Sequence, residues 1–191
     1  PGNHDIDFSI NSEIRALVVE KLQKRDSVEE KSFIQECLKV QKQFWDFVSR
    51  MYATPVSPCV SYPIKLEVND NYNLIFHCYN TALISTVDEQ PGSLIVPENS
   101  FLNDSCMEEH KDEVVISVFH HNTGWLSTRT ANNNKKTFEK HIEQTSHVLM
   151  CGHEHQREDK VISDLDNKDK ILYLEGNSMQ QGGERSFSVL V

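Results

Sequence analysis

The stretch Val114-Val115-Ile116-Ser117-Val118-Phe119, followed at once by His120, decides how this chain is read. It is β-branched and almost wholly apolar, without the alternation of a half-exposed strand. Such a run suits the interior of a sheet covered on both faces, as parallel sheets in α/β folds are. A second run, His147-Val148-Leu149-Met150-Cys151, ends at Gly152 and leads into His153-Glu154-His155. In open α/β sheets ligands gather beyond the carboxyl ends of the strands. Two buried strands therefore deliver imidazoles to one edge. His153 and His155 reach a shared centre if the loop between them turns, with Gly152 supplying the backbone freedom. Imidazole suits Zn, Fe, Mn and Ni, and carboxylate or carbonyl oxygens add harder donors.

Working outward, residues 1–8 read as a loop. Ile14, Leu17, Val18 and Leu22 then fall on one helical face. Ser27 and Glu30 form an S-x-x-E capping signal before a second helical run from Phe33 to Met51, closed by Pro55 and Pro58. Residues 10–54 are expected to form two helices. Ile64, Leu66 and Val68 alternate with polar residues, and Tyr72 to Tyr79 reads as the returning strand of a hairpin across Asn69-Asp70-Asn71. Leu83 to Val87 is a further short strand candidate, and Thr137 to Thr145 reads as a helix. Lys160 to Leu165 and Lys170 to Leu174 suggest a second hairpin, and Ser186 to Val191 a last strand. Trp45, with Phe44 and Phe47, reads as helix core. His77, His110, His141 and His147 read as structural, and Glu154 as solvent-facing.

The 191 residues include 29 acidic and 19 basic side chains, a formal charge of −10. That field repels phosphate backbones and disfavours a broad grip on nucleic acid. Bound metal ions can still invert the sign locally. Five cysteines at wide spacing, with no C-x-x-C, suggest reduced thiols and a cytoplasmic protein. No apolar run has the roughly 18 residues of a membrane span, so no membrane partner is expected.

Gly2-Asn3-His4-Asp5, the strand-terminal His120 and Gly152-His153-Glu154-His155 follow one another in the order of the later motifs of the calcineurin-like metallophosphoesterases, which the chain resembles. Those motifs are G-N-H-[DE], a histidine ending a strand, and G-H-x-H. His120-His121-Asn122-Thr123-Gly124-Trp125-Leu126 is also similar to the H-H-P-x-x-W-L stretch of many bacterial members, with Asn122 in the place of proline. The resemblance implies an α/β fold of metallophosphoesterase type, a β-sandwich flanked by helices in four αββα layers. Residues 10–58 would be a helical insertion or cap within it. It further implies that Asn3, His120 and His153 ligate the second of two metals and that His155 ligates the first. His4 would act as the general acid on the leaving oxygen, with Asp5 orienting it. The implied cofactors are two divalent ions, Mn, Fe or Zn. The implied reaction is hydrolysis of a phosphomonoester or phosphodiester, the ions clamping the phosphoryl group and acidifying a water.

The family's earlier motifs, D-x-H and G-D, occur nowhere in the sequence. The expectation is therefore a partial domain within a larger polypeptide, inactive by itself and binding at most one metal. Two alternatives stand beside it: a nuclease of the same superfamily, which also carries G-H-E-H, and a binding module that has kept the fold without catalysis, against which the retained Asn3, His4, His120, His153 and His155 argue.

Overall fold

The two apolar runs form neighbouring parallel strands. A computed structural model describes residues 1–10, 12–24, 30–69, 72–101, 113–129, 133–163, 170–176, 180–181 and 184–185. Eight strands are present among them: β1 (Ser61–Asn69), β2 (Tyr72–Tyr79), β3 (Glu113–His121), β4 (Val148–Gly152), β5 (Glu158–Ser163), β6 (Lys170–Glu175), β7 (Gln180–Gln181) and β8 (Glu184–Arg185). The first six make one sheet in the order β1-β2-β3-β4-β6-β5, and β7 and β8 pair separately. Strands β2, β3, β4 and β6 run parallel, and β1 and β5 add antiparallel edges. The protein is thus mixed α/β. Pro63 sits in β1, an edge strand, where a missing N–H does least harm to a ladder.

Helix α4 (Asn134–Thr145) covers one face of the parallel strands. Its Phe138 meets Tyr79, Phe101 and Phe119 edge-on, at centroid distances of 5.2, 5.4 and 5.7 Å. Full burial of such a ring contributes about 1.5–3 kcal/mol. The amino end of α4 is capped by Asn133, whose side chain accepts the Lys136 N–H. His147 accepts the Val115 N–H through Nδ1, a structural role for that histidine.

The helical segment differs from its sequence reading in two respects. It contains three helices, α1 (Glu13–Lys24), α2 (Lys31–Leu38) and α3 (Lys42–Met51), because a 3-10 turn at Lys39–Gln41 breaks the second run. The buried face of α1 is also rotated: Arg15, Val18, Val19 and Leu22 are buried, whereas Ile14 and Leu17 are exposed. Arg15 enters the core because it has carbonyls to serve. Its Nη2 donates to Leu83 O at 3.4 Å and Ser85 O at 3.0 Å. Those carbonyls turn toward Arg15 instead of a neighbouring strand, so Leu83 to Val87 forms turns and not the expected strand. From the adjoining 3-10 turn, Gln41 exchanges hydrogen bonds with Asn80 and donates to Ala82 O at 3.2 Å. The helical segment thus clamps the chain that leaves β2. Trp45 is buried in α3, while Phe47 and Met51 are exposed.

The Ser27 cap, the Asp166-Asn167-Lys168-Asp169 turn, the strand at Ser186 to Val191 and His110 lie outside the described residues.

Candidate metal centre

The carboxyl ends of the parallel strands meet at one edge. Thr81 follows β2, His120 and His121 end β3, and His153 follows β4. A register shift between Val118 and His121 sets His121 opposite Gly152. Successive residues of a regular strand face opposite ways, and the bulge lets both rings approach this edge. Nitrogens of His120, His121 and His153 all lie within 4.8 Å of one another.

The N-terminal turn closes the cluster. Asn3 lies in a 3-10 turn, Asn3–Asp5, and its Oδ1 is 2.9 Å from His120 Nε2. His153 Nδ1 is 3.2 Å from the same His120 Nε2. Three of the expected ligand atoms therefore converge, Asn3 from 117 positions before His120 and His153 from 33 positions after it. The turn is fixed by Ile6, buried against Val40 and Ala82, and by Asp7 N–H donating to Val40 O at 2.8 Å. Gly2 lies flat against His120, and a Cβ there would stand 2.9 Å from three of its ring atoms. Only glycine permits that approach.

His153 is held in an unusual backbone state. Its φ is +77°, and Glu154 N–H donates to Gly152 O at 3.0 Å, the signature of a positive-φ γ-turn. His155 is also left-handed, at φ +54°. The sharp turn thus falls on the histidines themselves, whereas Gly152 has no positive φ and continues β4, contrary to the sequence expectation. Strain of about 1–3 kcal/mol at a non-glycine residue persists only where surroundings enforce it, and it concentrates at functional sites.

Burial drives the electrostatics. The His120 pKa is pushed down to about 3, first by burial and then by the charge that His121 and His153 would carry, against the pull of Glu89. That of His153 is lowered too, first by burial and then by His121, with Glu89 and Glu154 opposing. Such imidazoles keep free lone pairs in the neutral range, as metal ligation requires. The donors, one amide oxygen and two imidazole nitrogens, fit a borderline divalent ion such as Zn, Mn or Fe.

The remaining expected site residues lie apart from this cluster. His155 is exposed and is outside it among the described residues. His4 is exposed, one residue beyond Asn3, and lines a cavity of about 430 Å³ with Asp5, Asp7, Gln43, Phe44 and Phe47. The Asp5 carboxylate accepts the Gly2 N–H at 2.8 Å, so it braces the Asn3 turn and not the His4 ring.

No family model matches the chain, and no curated protein matches it. Among solved structures it is similar to GAP50, the anchor in the inner membrane complex of Plasmodium, at 16% identity and a TM-score of 0.38. The similarity covers 71% of this chain and 43% of that one, so the chain spans less than half of that structure. A likeness this low assigns neither fold nor function. Among the described residues no helix is long and apolar enough to cross a membrane.

Three residues outside the expected ligand set support the cluster, and of these only Glu89 lies outside every motif. His121 is fully buried; its Nδ1 lies 3.0 Å from Thr81 Oγ1 and its Nε2 3.2 Å from Glu89 Oε1. The same Glu89 oxygen is 3.9 Å from His153 Nε2. Burial opposes the Glu89 anion, but His121, Ser85 and His153 outweigh it, and its pKa is lowered. Trp125 sets its ring edge-on to His153 at 4.3 Å. Its Nε1 donates to Glu154 Oε1 at 2.6 Å, so Glu154 has a partner besides solvent. Glu89 sits in Asp88-Glu89-Gln90-Pro91-Gly92, which reads in sequence as an ordinary turn.

Proposed function

We propose that this chain carries part of the metal centre of a phosphoester hydrolase of the metallophosphoesterase type, with the four-layer αββα arrangement as the finer form of its α/β fold. The observation that carries the reading is the convergence of Asn3 Oδ1, His120 Nε2 and His153 Nδ1 at 2.9 and 3.2 Å. Lone pairs crowded together in this way are costly unless a proton or a cation lies among them. In this reading the three side chains hold one divalent ion. When bound, such an ion supplies positive charge to a phosphoryl oxygen and acidity to a water.

The chain's own residues do the rest. Gly2 and the γ-turn at His153 fix the two imidazoles before any ligand arrives. His4 stands exposed beside the site, free to give a proton to a leaving oxygen. Phe44 and Phe47 offer an apolar wall to the ester group. His155 faces solvent and awaits the ligands of a second ion, which the D-x-H and G-D motifs would bring from elsewhere in a larger polypeptide. The −10 charge makes a small phosphoester a better substrate than a nucleic acid.

The test is calorimetric titration of the chain with Mn²⁺ and Zn²⁺, followed by hydrolysis of p-nitrophenyl phosphate, bis(p-nitrophenyl) phosphate and single-stranded DNA by the full-length polypeptide. One ion per chain, lost in His153→Ala, is expected, with turnover of a small ester. Absence of binding would overturn the reading in favour of a module that keeps the fold without the chemistry.

A further inference from the structure

We propose that Glu89, gripped by His121, is a positioning residue that places the ring proton of His153 on Nε2 and leaves the Nδ1 lone pair facing Asn3 and His120. The consequence for metal affinity rests on the function proposed above; the placement of the proton does not.

Thr81 anchors one end of the His121 ring. Its hydroxyl oxygen accepts the backbone N–H of His121 at 3.0 Å and also lies 3.0 Å from His121 Nδ1. At the far end of that ring, Nε2 is 3.2 Å from Glu89 Oε1. A carboxylate oxygen can only accept, so Nε2 must be the donor; a lone pair there would face an anion in a buried site. In the neutral ring the Thr81 O–H then donates to Nδ1. Both nitrogens of His121 are thereby occupied, and it supports the cluster without ligating an ion.

Glu89 is thus fixed, and its Oε1 faces a second imidazole. The His153 ring carries one proton when neutral, at either of two ends. One end, Nε2, lies 3.9 Å from Glu89 Oε1; the other, Nδ1, lies 3.2 Å from His120 Nε2. The carboxylate favours the proton at the near end. A carboxylate that fixes the tautomer of an imidazole, with the other nitrogen turned to an ion, is a general means of setting ligand basicity.

The burial of Glu89 points the same way. Its side chain is only 7% exposed, and Oε2 has no hydrogen-bond partner among the described residues. A carboxylate buried at such cost does not serve its own turn. The groups it faces are the two imidazoles and the Ser85 hydroxyl, and of these only the imidazoles have a tautomer to set.

The test is long-range ¹H–¹⁵N correlation of the histidine rings in the metal-free, ¹⁵N-labelled chain, with His153 assigned by its loss in His153→Ala. The wild-type chain is expected to show His153 protonated on Nε2. Glu89→Gln, which removes the charge at nearly constant volume, is expected to give a mixture of tautomers at unchanged melting temperature. In the same samples Zn²⁺ affinity should fall about 10- to 100-fold, with partial recovery in Glu89→Asp. A wild-type His153 carrying its proton on Nδ1 overturns the proposal even if no variant folds. So does a Glu89→Gln chain that folds with the wild-type tautomer. If the tautomer shifts as expected but the wild-type chain binds no metal, the positioning stands and the hydrolase reading fails.

Discussion

His120 and His153 reach the site from the ends of buried parallel strands, whereas Asn3 reaches it on a short turn that holds His4 and Asp5 outside the cluster. The strand-borne half is over-determined. Each of its rings has fixed neighbours: Gly2 on His120, Trp125 and Glu89 beside His153, and Thr81 behind His121. The turn-borne half hangs on Ile6, one backbone bond to Val40 and the Asp5–Gly2 contact. The difference separates two tasks. Holding an ion calls for rigid lone pairs in a dry place, and handling a substrate proton calls for a group that meets solvent and can move. In the proposed reading His4, which is exposed, belongs to the second kind.

Removing a ligand from the rigid half has the largest expected effect. His120→Ala is expected to weaken Zn²⁺ binding by more than about 100-fold, beyond the loss typical of an outer partner. Calorimetric titration measures this, and a loss below ten-fold would mean that the strand ends do not hold the ion. Next in size is the clamp on the chain leaving β2. Arg15→Met leaves the Leu83 and Ser85 carbonyls without their donor and should destabilise the protein by about 2–4 kcal/mol. Urea unfolding measures the change, and a shift under 0.5 kcal/mol would show that the buried guanidinium is not holding the loop that leads to Thr81 and Glu89.

Acid should act on the same half. The folded-state pKa of His120 lies near 3, below its ordinary 6.5. Between those values the unfolded chain binds the extra proton and the folded chain resists it. Stability from this group is therefore present above pH 6.5 and drains away as the pH falls toward 3. Melting temperatures of the metal-free chain should drop across that window, and less steeply in His120→Asn. Equal slopes in the two proteins would remove His120 from the account. A smaller effect comes from Gly2→Ala, whose new Cβ forces the His120 ring aside. Metal affinity should fall about ten-fold, and an unchanged value would show that the turn yields in place of the ring.

Much of the scaffold was legible because it rests on local pattern. The runs at β3 and β4, both hairpins and α4 declare themselves by apolar periodicity, and the motif histidines stand where strands end. What was hidden depends on contacts between distant residues. Nothing in Leu83 to Val87 says that its carbonyls serve Arg15, 70 positions from Ser85 in the longer of the two contacts. Nothing around Glu89 marks it as the neighbour of two imidazoles. The apolar period from Phe33 to Met51 runs on without a Pro or Gly to reveal the break at Lys39–Gln41. The turn after Gly152 was expected to use glycine's freedom, yet the positive φ falls on His153, where packing enforces it.

His155 supplies the smallest effect and the sharpest edge to the contrast. It lies two residues from His153 in the same loop, and sequence pairs the two as equals. In the structure one is packed between Trp125 and Glu89 and the other is exposed. An exposed residue far from caps, cavities and buried partners seldom changes stability by more than about 0.5 kcal/mol. His155→Ala should therefore leave the melting curve unchanged and the affinity for a first ion within about two-fold, the small change expected at such a surface site. A ten-fold loss of that affinity would place His155 in the rigid half, because a ring can weaken a site that strongly only by reaching it. The division between strand-held ligands and solvent-facing groups would then fall between His155 and His4, and the whole G-H-x-H loop would count as one preformed element.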